Sequence, residues 1–115
     1  RGGVHSVFME RASQGFLEEV GRYHLEQRRI PLYSNVTALP YEGDFAALLS
    51  QQIRNPVRWE AIIRNMIAAG ADTFIEVGPG NVLTGLIKKI APEVRILNVS
   101  EYEHLAEIKE VVRPC

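Results

Sequence analysis

The chain has 115 residues, 46% hydrophobic and 23% charged, which is the composition of one small globular domain and excludes a disordered or fibrous chain. Its 13 Lys and Arg stand against 14 Asp and Glu, and a formal charge of −1 argues against nucleic acid or an anionic membrane as the main partner. A single cysteine, Cys115, excludes an internal disulfide framework and a Cys-based zinc cluster; with short apolar runs and no signal-like N-terminal core, it predicts a soluble cytoplasmic protein.

Hydrophobic periodicity sets out the elements in chain order. Over residues 8–29, Met9, Ala12, Phe16, Val20 and Tyr23 recur at steps of three or four, predicting an amphipathic helix despite Gly15 and Gly21. Pro31 ends it, and Leu32 to Thr37 reads as a β-strand followed by a turn-rich loop. Asp44 is placed to cap a second helix over residues 45–53, with Phe45, Leu48, Leu49 and Ile53 on one side. Pro56 is expected to open a third, in which Trp59, Ile62, Ile63, Met66 and Ile67 form one stripe and Gly70 supplies the stop. Thr73 to Val77 reads as a second strand, Gly78-Pro79-Gly80 as a tight turn, and Asn81 as the cap of a helix carrying Val82, Leu83, Leu86, Ile87 and Ile90. Val94 to Val99 is a third strand, and Ser100 is expected to open a terminal helix with Leu105, Ile108, Val111 and Val112. The order α-β-α-α-β-α-β-α predicts an α/β fold of three short, mostly parallel strands with helices on both faces. No linker divides residues 1–115, so they read as a single domain without an internal boundary.

Few residues invite a chemical reading. His5, His24 and His104 lack paired ligand spacing, so no metal is expected, and His24 and His104 read as polar-face residues of helices. The Gly78 to Asn81 turn lies where glycine-rich loops cradle phosphates, yet it has no third glycine at the required spacing and no Gly-Lys-Ser/Thr, and Pro79 deletes an amide donor. A tight turn that packs helix on sheet is the simpler reading. His5 precedes Ser6, but neighbouring side chains rarely face one another, and no Gly-x-Ser-x-Gly elbow occurs. If His5 is a general base, its serine lies outside these residues.

Four ordered blocks carry a resemblance. They are His5-Ser6-Val7-Phe8-Met9-Glu10, Pro31-Leu32-Tyr33-Ser34-Asn35-Val36-Thr37-Ala38, Gln52-Ile53-Arg54-Asn55-Pro56-Val57-Arg58-Trp59 and Phe74-Ile75-Glu76-Val77-Gly78-Pro79-Gly80-Asn81-Val82-Leu83-Thr84-Gly85-Leu86. Together they resemble the malonyl-CoA:acyl carrier protein transacylases and the acyltransferase domains of polyketide and fatty acid synthases. The resemblance runs from His5 to about Ile90 and implies the C-terminal part of an acyltransferase core of α/β-hydrolase-like fold.

What the resemblance implies is ping-pong transfer of malonyl from coenzyme A, through a serine ester, to the phosphopantetheine thiol of acyl carrier protein. The family's general-base histidine maps to His5, and the glutamine whose main-chain carbonyl orients it maps to Gln52, with Ile53 in place of the usual Leu. Histidine suits the role because imidazole ordinarily titrates near neutrality. No resident cofactor is implied; malonyl-CoA and the carrier protein are substrates. Gly3 and Val4 stand where the family usually has Pro-Phe, and the nucleophilic serine, the arginine for the malonyl carboxylate and the oxyanion hole would all precede His5. The chain is thus expected to need the missing N-terminal part as a partner and to be inactive alone. Two alternatives stay open: a noncatalytic binding or scaffold module keeping the fold's layers, and an anion-binding domain using the Gly78 to Asn81 turn.

Overall fold

A computed structural model describes residues 3–26 and 29–112. Cys115 and part of the expected first helix, Gln27 and Arg28, lie outside the described residues. The chain divides into two compact units, Arg1–Asn65 and Met66–Cys115. No linker marks that division in the sequence, because it falls inside a helix.

In the first unit a short 3-10 turn, Val7–Met9, leads into α1, Glu10–Val20. Helix α1 stops well before residue 29, contrary to the periodicity. Beyond Val20 the amides of Arg22 and Tyr23 bond back to Glu19 and Val20 at 3.1 Å each, tightening the last turn. Gly21 stands where this happens, and a glycine disfavours continued helix by about 1 kcal/mol.

The strand expected from Leu32 to Thr37 does not form. Tyr33 instead makes an isolated antiparallel bridge with Pro40, so the segment folds back on the residues that follow it. Pro40 has no N–H to extend a ladder, and the Ser34 hydroxyl accepts from the Val36 amide at 3.1 Å, turning the chain at once. The turn closes through Ala38 N–H to the Ser34 carbonyl (2.9 Å), with Ala38 at φ 60°. Ser34 and Ala38 are both fully buried.

Helix α2, Phe45–Arg54, begins as expected: the Asp44 carboxylate accepts from the Ala47 amide at 3.1 Å. Helix α3, Trp59–Ala68, starts later than Pro56. Asn55, before the proline, is extended at φ −110° and ψ 150°, as proline requires of its predecessor, and the Arg58 amide donates to Asn35 O at 3.3 Å. Ile62 and Ile63 of α3 are buried, and Asn65 donates its side-chain amide to Ala38 O at 2.8 Å. Gly70, at φ 106°, ends α3 as expected. Its amide bonds to Ile67 O (2.9 Å) and that of Ala71 to Met66 O (3.0 Å), the paired bonds of a Schellman stop.

The second unit contains β1, Thr73–Val77, α4, Val82–Ile90, and β2, Arg95–Val99. The strands are parallel, in register from Thr73 opposite Arg95 to Val77 opposite Val99, and Gly78 N–H adds a bond to Val99 O at 2.9 Å. Ile87, Ala91 and Val99 are buried. The terminal segment is a 3-10 turn, Tyr102–His104, then a short α5, Leu105–Lys109; Val111 and Val112 lie past its end and bond back to Ile108 O. The described residues therefore form an α/β fold of five α-helices and two parallel strands, one strand fewer than periodicity predicts.

Candidate active site

The last turn of α2 leaves main-chain carbonyls without partners inside the helix. Asn55 satisfies that of Gln51 twice, by its amide at 3.1 Å and its side chain at 2.8 Å. His5 takes the next two. Its backbone N–H donates to Ile53 O at 3.0 Å, and its Nδ1 lies 2.7 Å from Gln52 O. To present both groups to one helix end, His5 adopts φ 62°, a left-handed conformation that disfavours any residue with a Cβ.

A carbonyl oxygen only accepts, so Nδ1 carries the proton and the neutral ring keeps Nε2 as an acceptor. The His5 side chain is exposed, and Nε2 faces away from the helix end that holds Nδ1. Ser6 does not serve it: the Ser6 hydroxyl donates to Gly3 O. Behind the contact, the Gln52 side-chain amide donates to the Tyr41 hydroxyl, and buried Tyr41 stacks on Phe45 with ring centroids 5.5 Å apart.

Two further contacts tie α1 to α2 close to His5. Glu10 and Arg54 form an ion pair at 2.7 Å, and buried Ser13 and Ser50 each donate a hydroxyl to the other's main-chain carbonyl at 2.7 Å. Neither serine was singled out by residue type. The signal was positional, since Ser13 lies four residues after Met9 and three before Phe16, in step with the apolar periodicity of α1, and is the one residue of that helix that is buried.

At the Gly78 to Asn81 turn, Asn81 stands at the cap position of α4 without capping it. Glu76 caps instead, accepting from Leu83 N–H at 3.1 Å and Thr84 N–H at 2.8 Å, and from the Thr84 hydroxyl at 2.6 Å. The Thr84 hydroxyl above all holds its carboxyl below the ordinary glutamate value; burial opposes it, and the Thr84 and Leu83 amides and the Asn98 side chain add smaller lowering effects. An external anion would have to displace this carboxylate. Asn98 closes the turn by donating to Gly80 O at 2.7 Å. His24 lies beyond the end of α1, and His104 sits in a 3-10 turn with Nδ1 buried and without a hydrogen-bond partner, so neither lies on the polar face of an α-helix. Among the described residues, no three His, Cys, Asp or Glu side chains are grouped to hold a metal, and no helix is long and apolar enough to cross a membrane.

No family model matches the chain. It is 44% identical over 93 residues to the polyketide biosynthesis malonyl CoA-acyl carrier protein transacylase BaeC of Bacillus velezensis, covering 80% of this chain and 32% of that protein. To the malonyl CoA-acyl carrier protein transacylase of Synechocystis it is 37% identical over 106 residues, covering 90% and 36%. The crystal structure of the malonyl CoA-acyl carrier protein transacylase from Clostridium perfringens matches with a TM-score of 0.87 at 31% identity, over 94% of this chain and 35% of that one. The chain belongs to the malonyl CoA-acyl carrier protein transacylase family. It spans about a third of the length of the curated relatives it matches. These relatives do not favour the alternative of a noncatalytic module.

Proposed function

We propose that the chain is the C-terminal portion of a transacylase that moves malonyl from coenzyme A to acyl carrier protein in fatty acid or polyketide synthesis, in the cytoplasm, and that it supplies the general base, His5. The observation that carries this reading is the 2.7 Å contact between His5 Nδ1 and Gln52 O, which commits one ring nitrogen and leaves Nε2 to exchange a proton.

In the first half-reaction Nε2 removes the proton of a serine hydroxyl as its oxygen attacks the malonyl thioester carbonyl. The tetrahedral intermediate collapses by breaking the C–S bond, and the Nε2 proton passes to the departing thiolate, leaving malonyl-serine and free coenzyme A. The second half-reaction runs the same steps with the carrier's phosphopantetheine thiol as nucleophile and the serine oxygen as leaving group. Throughout, the Gln52 carbonyl holds the tautomer and stabilises the positive charge that forms on the ring, as a carboxylate does in a Ser-His-Asp triad. The serine, the oxyanion hole and the contacts to the malonyl carboxylate belong to the portion of the family fold preceding His5. No resident cofactor takes part.

Mass spectrometry of the acyl-enzyme tests this division of labour. After incubation with malonyl-CoA, this chain mixed with the serine-bearing portion of a relative should show malonyl ester on the added portion only. A stable malonyl ester on this chain would refute the proposal.

A further inference from the structure

Helices α1 and α2 run antiparallel where they meet. Glu10, at the start of α1, pairs with Arg54, at the end of α2, and one turn further along, Ser13 meets Ser50. The serine contact is reciprocal and buried: Ser13 Oγ to Ser50 O and Ser50 Oγ to Ser13 O are each 2.7 Å, and the two hydroxyl oxygens are 2.9 Å apart. Each hydroxyl has one proton, so two hydrogen bonds account for the three close contacts, and both cross between helices. A serine inside a helix usually bonds back to its own preceding turn. Here both hydroxyls give up that local partner for the facing backbone. Such a clasp sets how far one helix can slide along the other, because each bond needs its donor opposite a particular carbonyl.

His5 precedes α1, and its acceptors are the carbonyls of Gln52 and Ile53 on α2, two and three residues beyond Ser50. The placement of the imidazole on α2 therefore depends on the position of α1 along α2. We propose that Ser13 and Ser50 are positioning residues for the general base: their reciprocal bonds, reinforced at the surface by Glu10 and Arg54, fix α1 on α2 so that His5 Nδ1 stays on the Gln52 carbonyl. This inference rests on the reading of His5 as the base, but its structural consequence is measurable without any turnover.

The test is nitrogen-15 and proton NMR of the His5 imidazole in the full 115-residue chain, at a pH where the ring is neutral. In the parent chain His5 is expected in the Nδ1–H form, with that proton slow to exchange. Ser13→Ala and Ser50→Ala should shift the ring toward a tautomer mixture and speed Nδ1–H exchange about tenfold or more. Ser50→Cys keeps a side chain of the same shape, with a somewhat larger sulfur in place of oxygen, and weakens the hydrogen bond, so it should move the same signals in the same direction. Ile62→Val loosens the core of the same unit away from the clasp and should leave the tautomer alone. Unchanged His5 signals in the serine variants, or an equal change in Ile62→Val, would overturn the positioning role. A parent chain without the Nδ1–H preference would overturn it together with the placement of the base. If the tautomer responds as expected while His5→Ala leaves malonyl transfer intact in the reconstituted enzyme, the clasp stands and the catalytic reading falls.

Discussion

His5 holds a backbone conformation that carries a penalty of roughly 1–2 kcal/mol for a residue with a Cβ. Two hydrogen bonds to the end of α2 offset it, and both acceptors are main-chain carbonyls. That choice of acceptor has a consequence for mutagenesis. The carbonyl survives any substitution at position 52 that keeps the helix, so Gln52→Ala should preserve the Nδ1–H tautomer of His5 while removing the contact to the Tyr41 hydroxyl. A Gln52→Ala variant that folds but loses the tautomer would show that the side chain, rather than the backbone, orients the ring. Sequence alone can suggest such a site only by resemblance, because a main-chain acceptor leaves no residue type that chemistry would single out. Ser13 and Ser50 escaped for a related reason: a serine within an amphipathic helix looks like a gap in the apolar pattern until its buried partner on the other helix is known.

At the scale of elements, the parts set by short-range chemistry were legible. The Asp44 cap, the Gly70 stop, both strands of the parallel pair and the turn between β1 and α4 stand close to where composition and spacing put them. Gly70→Ala should be destabilising by about 1 kcal/mol or more in thermal melting, since φ 106° disfavours any Cβ although no atom crowds the site. The misread segments are those where a local hydrogen bond outcompeted a propensity. Leu32 to Thr37 is β-prone, yet the Ser34 hydroxyl and Pro40 turn it back on itself. Asn81 is a good capping residue by type, yet Glu76, the residue before Val77 at the end of β1, reaches the same amides with a charged acceptor. Because the folded state holds the Glu76 carboxyl below its ordinary value, its contribution to stability is fully present above that value and is lost as pH falls through the lowered one. Glu76→Gln should thus lower the melting temperature at neutral pH, and the gap from the parent should close on acidification. A gap that stays constant down to strongly acidic pH would contradict the capping role.

At the scale of the whole molecule, a chain that spans about a third of its relatives' length is proposed to carry one half of a catalytic pair. The apolar residues it leaves in solvent include Val7 and Phe8, two and three residues after His5, at 77% and 87% exposure. On the proposed reading, function belongs to the assembled transacylase, and this chain's share in it is proton transfer at His5 Nε2. The most direct measurement is the rate of malonyl transfer from malonyl-CoA to acyl carrier protein by the reconstituted enzyme, with and without His5→Ala. Loss of the general base should slow transfer by about 10²–10⁴-fold while the circular dichroism of the chain stays that of the parent. Transfer at the parental rate with His5 replaced would contradict the account.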